Sequence, residues 1–484
     1  LLFGGQSAAA WATGLEESGL AERAAARSTF KQAVEYARKG QVSKSRALQR
    51  LLGDYPLAPY VEYQLLSSRL GQTSPAEIDA FRERYADLPA TPLLYQRWLK
   101  VQGQRRQWTR LHARRYDTTN ADLQCYFVRA QYGVGEKSAA LDATTELWVR
   151  PKSQPKACDP IFSVWRGTER FSQDIVWQRF NGAMQAGERV LARYLQRYMT
   201  GARQTAAKAY YELARQPQRV SWRGAFSADT MENRAAISYG IRRYARRDAQ
   251  KAAVAWRTFR SSHAFSAAER QLLDEHIAVE LAGDGQFPET DQREMLASEF
   301  ALNGMVNAAI AHQRWDEVLY WINRVSGLEA GKSRNQYWLA RAQQQLGQPH
   351  SFAELAARRD YYGFMAAAQV NDDVELNAAP AKPLSQADEM RLLAIPGIAR
   401  AIELFAVGDS LNARREWYRM TEVQDASTLH QMAYLAQRMG KLFLAIQTAN
   451  RADARRLAGA RAGRGALKEG LESAVVELSN LPRR

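Results

Sequence analysis

At 484 residues the chain has room for about three ordinary domains. With 46% hydrophobic and 24% charged residues it carries enough apolar surface for a core, which excludes long-range disorder. No charge-free stretch beyond the N-terminus approaches the roughly 20 apolar residues that span a bilayer, and two cysteines exclude a disulfide-dense fold. The net charge is +16, and 54 of the 67 basic residues are Arg, whose rigid fork suits an anionic polymer. A general Ala/Arg bias would give the same excess, so charge alone does not choose between nucleic acid and cell wall.

Residues 1–15 contain no charge, and the small residues Ala8, Ala10 and Ala12 fit the cleavage rule for a secretory signal. The positively charged start of such a signal is missing. Residues 1–20 are therefore expected to be a signal-peptide remnant and N-terminal lead, with a short buried helix as the competing reading.

Helical spacing follows. Phe30, Val34 and Ala37 recur at i, i+4 and i+7, as do Val254, Thr258 and Ser261 with Trp256 and Phe259 widening the stripe. Gly40, Gly71, Gly103 and Gly135 are 31, 32 and 32 residues apart, and each is expected in the left-handed position that closes a helix. Gly347 repeats the pattern late in the chain. Pro56, Pro59, Pro75, Pro89 and Pro92 fall between the helical runs. A period near 32 residues is one helix–turn–helix hairpin, and such hairpins bury both faces only by stacking. Alternating strand patterns are almost absent. The expected fold is all-α: a right-handed superhelix of tetratricopeptide-like repeats over 21–370, followed by a small helical linker domain.

Cys125 and Cys158 make no CxxC and have no nearby His pair for a zinc site. In an exported chain they are most simply one disulfide; two buried thiols are the alternative. Three prolines in 151–160 mark a connection that such a bridge could pin. Residues 371–383, with Asp372-Asp373 and two prolines, are the expected linker. Helices over 385–394, 398–407, 412–420 and 429–438 would build the small domain at 384–449. From Asn450 to Ala466, 14 of 17 residues are Ala, Arg or Gly, so 450–484 reads as a biased tail with one possible helix over 467–478.

Chemistry-bearing motifs are scarce. His112, His263, His276, His312, His350 and His430 are scattered, with no HExxH, and no phosphate loop, GxSxG or dinucleotide fingerprint occurs. Glu16-Glu17 and Asp372-Asp373 read as solvated acids. No catalytic residue, cofactor or metal site is nominated.

One segment is distinctive: Asp54-Tyr55-Pro56-Leu57-Ala58-Pro59-Tyr60-Val61-Glu62-Tyr63, followed by Leu65-Leu66. It resembles the N-terminal repeat of the large periplasmic soluble lytic murein transglycosylases. Further matches follow in family order. Ala121-Asp122-Leu123-Gln124-Cys125-Tyr126 with Leu147-Trp148 and Cys158-Asp159-Pro160-Ile161-Phe162 resembles that family's cysteine-paired stretch. Tyr361-Tyr362-Gly363-Phe364-Met365-Ala366-Ala367 resembles the close of its superhelix, and Glu416-Trp417 with Ala445-Ile446 its linker domain. The resemblance covers about 20–448.

It implies a U-shaped superhelix, a linker domain closing a ring, and a lysozyme-like domain in which one Glu cleaves the bond between N-acetylmuramic acid and N-acetylglucosamine, leaving a 1,6-anhydro end. The tail departs from the pattern: Glu472-Ser473-Ala474 repeats three letters of the catalytic motif, but its flanks do not match and the other family motifs are missing. The expectation is a periplasmic, Gram-negative-type chain that binds or positions peptidoglycan glycan strands, alone or with other cell-wall enzymes. A protein-binding helical-repeat adaptor is the alternative. An RNA-binding repeat is disfavoured, because no base-reading pair recurs at fixed repeat positions.

Overall fold

The computed structural model describes residues 17–358, 360–370 and 384–452. The expected signal remnant (except its last residues), the 371–383 linker with Asp372-Asp373, and the tail beyond 452 with Glu472 lie outside them. Among the described residues there are 26 α-helices and no strand, so the fold is all-α. None of these helices is long and apolar enough to cross a membrane.

Local chemistry explains where the helices begin. Ser74, Ser266 and Ser385 form capping boxes with Glu77, Glu269 and Asp388, each satisfying backbone N–H groups that the first turn leaves open. Pro75 opens helix Pro75–Arg84, Pro59 the first turn of Ala58–Ser68, and Pro89 is the N-cap of Ala90–Gln104, positions where a missing N–H costs nothing.

The expected glycine closures hold at three of the five positions. Gly40, Gly135 and Gly347 have φ of 72°, 104° and 67°. Gly71 and Gly103 do not. Gly71 sits in a turn of ordinary φ whose backbone bonds return to the Arg69 carbonyl. Gly103 lies inside helix Ala90–Gln104, and the left-handed residue is Arg106 at φ 56°. Glycine is needed at 103 for space: a Cβ there would lie 2.4 Å from the Tyr126 ring. The stripe over Val254, Thr258 and Ser261 is also corrected. Val254 is exposed, and helix Ala249–Ser262 buries Ala252, Ala255, Trp256 and Phe259 instead. The helical period was right and the face was displaced, because Trp256 and Phe259 outweigh smaller residues in choosing which side is covered.

The chain forms two compact units, one combining the described residues up to Ala130 with those from 384 onward, the other running from Gln131 to 370. In the second unit helices pack on their next and next-but-one neighbours. Helix Met231–Ala245 meets Gly201–Leu213, Ala249–Ser262 and Ala267–Gly283; the series continues through Glu299–Ala311, Trp315–Arg324, Ser333–Gln345 and Tyr361–Gln369. This is the stacking of a superhelical repeat array. Trp321 is fully buried there among Met305, Val306 and Val318, and its indole N–H donates to Glu317 at 2.9 Å.

In the first unit, helices Gln386–Leu393, Pro396–Val407, Ser410–Val423 and Ala426–Arg438 surround a core of Ile398, Trp417, Leu429 and Met432. Trp417 is fully buried and donates to the Thr448 hydroxyl at 2.9 Å. Helix Glu17–Arg38 packs on Pro396–Val407 within this unit.

Candidate functional site

Cys125 lies in helix Ala121–Gly133 and Cys158 ends the short turn Lys156–Cys158. Both are fully buried and disulfide-bonded, and no cysteine is free. Among the described residues no three His, Cys, Asp or Glu side chains gather into a possible metal site. His263 is a core residue bonded to the Phe226 carbonyl at 3.0 Å, and His312 reaches the Gly283 carbonyl at 2.8 Å.

Two buried carboxylates hold the first unit together. Glu403 accepts two bonds from Arg27, both at 2.8 Å, and one from the Tyr55 hydroxyl at 2.7 Å. Glu416 accepts from Arg400 at 2.8 and 3.1 Å and from Tyr60 at 2.7 Å. Arg400 also pairs with Asp87 at 2.8 Å. The Glu403 carboxylate holds the Arg27 guanidinium above its ordinary value. Burial acts against the Arg400 charge, but its bonds to Glu416 and Asp87 outweigh that and hold it high. Burial pushes the Tyr60 hydroxyl up and the Glu416 charge adds to it. With three donors on each carboxylate, these acids tie helices together and leave little capacity to move a proton to a substrate.

The sequence reading passed over this lattice. Its visible trace is Arg400 and Glu403 standing three apart inside the apolar run of helix Pro396–Val407. Tyr60 also lines a cavity of 620 Å³ with Lys31, Arg38, Tyr63 and Asp409.

The second unit carries a larger groove of 740 Å³ between helices Ala249–Ser262 and Ala267–Gly283 and the segment around Thr290–Arg293. Buried Trp256, Ile277 and Leu296 line it together with exposed Met295. The Trp256 N–H donates to Asp274 at 2.6 Å, and Arg260 lies 3.4 Å from the same carboxylate. Glu275 is committed to the Ser298 hydroxyl at 2.5 Å and to the Ala297 and Ser298 N–H groups. Burial raises its pKa, but these bonds prevail and hold it below the usual range. Arg257 and Arg270 line the groove without an ion-pair partner among the described residues.

The profile of the soluble lytic murein transglycosylase L domain matches residues 391–454. The soluble lytic murein transglycosylases of Salmonella typhimurium and Escherichia coli are each 27% identical over 399 residues, spanning 80% of this chain and 61% of theirs. The solved lytic transglycosylase of Pseudomonas aeruginosa, an inactive mutant, superposes with a TM-score of 0.74 at 29% identity, covering 88% of this chain and 70% of that one. This chain is similar to the soluble lytic murein transglycosylases over most of its length. The 70 kDa soluble lytic transglycosylase of Escherichia coli shares the fold, with a TM-score of 0.69 at 24% identity over 89% of this chain and 71% of its own. The chain spans about three-fifths of the length of the curated transglycosylases it matches. Arg400, Glu403 and Glu416 fall inside the matched L-domain stretch, so the carboxylate lattice joins that stretch to helix Glu17–Arg38, to Tyr55 and to helix Ala58–Ser68.

Proposed function

We propose that this chain serves peptidoglycan turnover in the bacterial periplasm, as a helical scaffold that binds murein and positions its glycan strands. The observation that carries the reading is the superposition of 88% of the chain on a lytic transglycosylase at 29% identity. Sequence similarity to enzymes named for murein, over 80% of the chain, supports the same substrate. The reaction served is cleavage between N-acetylmuramic acid and N-acetylglucosamine, with other cell-wall enzymes as companions on the same strands. The arginine excess fits this polymer, because murein stem peptides bear free carboxylates that exposed guanidinium groups pair with. Each such exposed pair contributes only about 0–1 kcal/mol, so binding depends on many at once and weakens as salt screens them.

Purified chain mixed with insoluble sacculi should pellet with them at low ionic strength and be released progressively by added salt. A chain that stays in the supernatant at low salt would overturn the reading.

A further inference from the structure

Resting on the murein reading, we propose that the groove lined by Trp256, Arg257, Arg270 and Met295 is a subsite for the carboxylate-bearing stem peptide of murein. The groove has a divided character. Its apolar part, Trp256, Ile277, Leu296 and the exposed Met295, suits short aliphatic side chains. Its acids are already occupied: Asp274 by the Trp256 N–H and Arg260, Glu275 by Ser298 and its backbone neighbours. Arg257 and Arg270, on the two helices that wall the groove, are left with no ion-paired carboxylate among the described residues.

In murein that carries its stem peptides the lactyl carboxyl groups of the sugars are tied up as amides, so the glycan itself offers these two arginines no anion. The stem peptide does, through the free carboxylates of its glutamate, its diamino acid and its C-terminus, and its alanine methyl groups match the apolar floor. A guanidinium fork pairs with a carboxylate through two parallel N–H···O bonds, so the two arginines also set the direction in which the peptide lies. A volume of 740 Å³ accommodates a peptide of this length in part or whole.

The test uses the free stem tetrapeptide, L-alanyl-γ-D-glutamyl-diaminopimelyl-D-alanine, titrated calorimetrically into the full chain. The double variant Arg257→Gln/Arg270→Gln should weaken binding about tenfold, from the loss of two charge pairs at the groove rim. Arg50→Gln/Arg193→Gln removes the same charge from exposed positions elsewhere and should leave binding unchanged. Circular dichroism confirms that each variant stays folded. Equal weakening by both double variants, or by neither, overturns the subsite. Pelleting with intact sacculi separates the two claims. If the unaltered chain pellets with murein while the groove variant binds peptide normally, the subsite falls and the murein reading stands. If the unaltered chain does not pellet with sacculi, the murein reading itself falls.

Discussion

Arg400 and Glu416 face each other across two hydrogen bonds of 2.8 and 3.1 Å, with side chains only 7% and 0% exposed. A pair this buried is held at considerable desolvation cost, and removing one partner strands the other charge. Arg400→Met should therefore destabilise the unit by about 3–5 kcal/mol, whereas Arg400→Met/Glu416→Leu should recover much of that loss. Calorimetric unfolding of the two variants decides it: equal destabilisation would mean that the pair acts through packing and not through charge.

Stability should also depend on His276. Burial, with Arg242 and Arg246 adding to it, lowers its pKa to about 4 from an ordinary 6.5, and its ring meets Phe300 edge-on at 4.3 Å. The unfolded chain takes up this proton first, so the contribution is fully present above about pH 6.5 and is lost as pH falls towards 4. His276→Gln should flatten the pH dependence of the unfolding temperature across that window; an unchanged slope would assign the dependence to other groups.

Two glycines should respond oppositely to alanine. At Gly103 the new methyl would press into the Tyr126 ring at 2.4 Å, whereas Gly283 ends a helix with nothing within 4 Å. Gly103→Ala should cost about 1–3 kcal/mol, and Gly283→Ala should gain a few tenths to about 1 kcal/mol. Denaturant midpoints of the two variants make the comparison.

Both cysteines are buried and disulfide-bonded, and the proposed pairing is Cys125 with Cys158. Ellman titration of denatured, unreduced protein should find no free thiol, and peptide mapping should recover one cross-linked pair within a single chain. Closing a loop of about 33 residues contributes roughly 3–4 kcal/mol, so reduction should lower the unfolding temperature. Two free thiols per chain, or a cross-link between chains, would refute the pairing.

What the sequence determined by itself is mostly local. The helices read at 385–394, 398–407, 412–420 and 429–438 appear as Gln386–Leu393, Pro396–Val407, Ser410–Val423 and Ala426–Arg438. Serine and aspartate caps and a proline in the first turn act within four residues, so their effect is written next to their cause. The all-α class was legible for the same reason, from helical spacing without strand alternation.

Tertiary structure decided what depends on residues distant in the chain. Nothing near Gly103 announces that the Tyr126 ring crosses it. Glu403 finds Arg27 at a separation of 376 residues and Glu416 finds Tyr60 at 356. That Arg257 and Arg270 find no ion pair among the described residues is equally a tertiary fact, because it depends on which acids the neighbouring helices have already engaged. Caps and helical periods are short-range preferences of the backbone, whereas charge pairing and space for a side chain are settled only when separate helices pack.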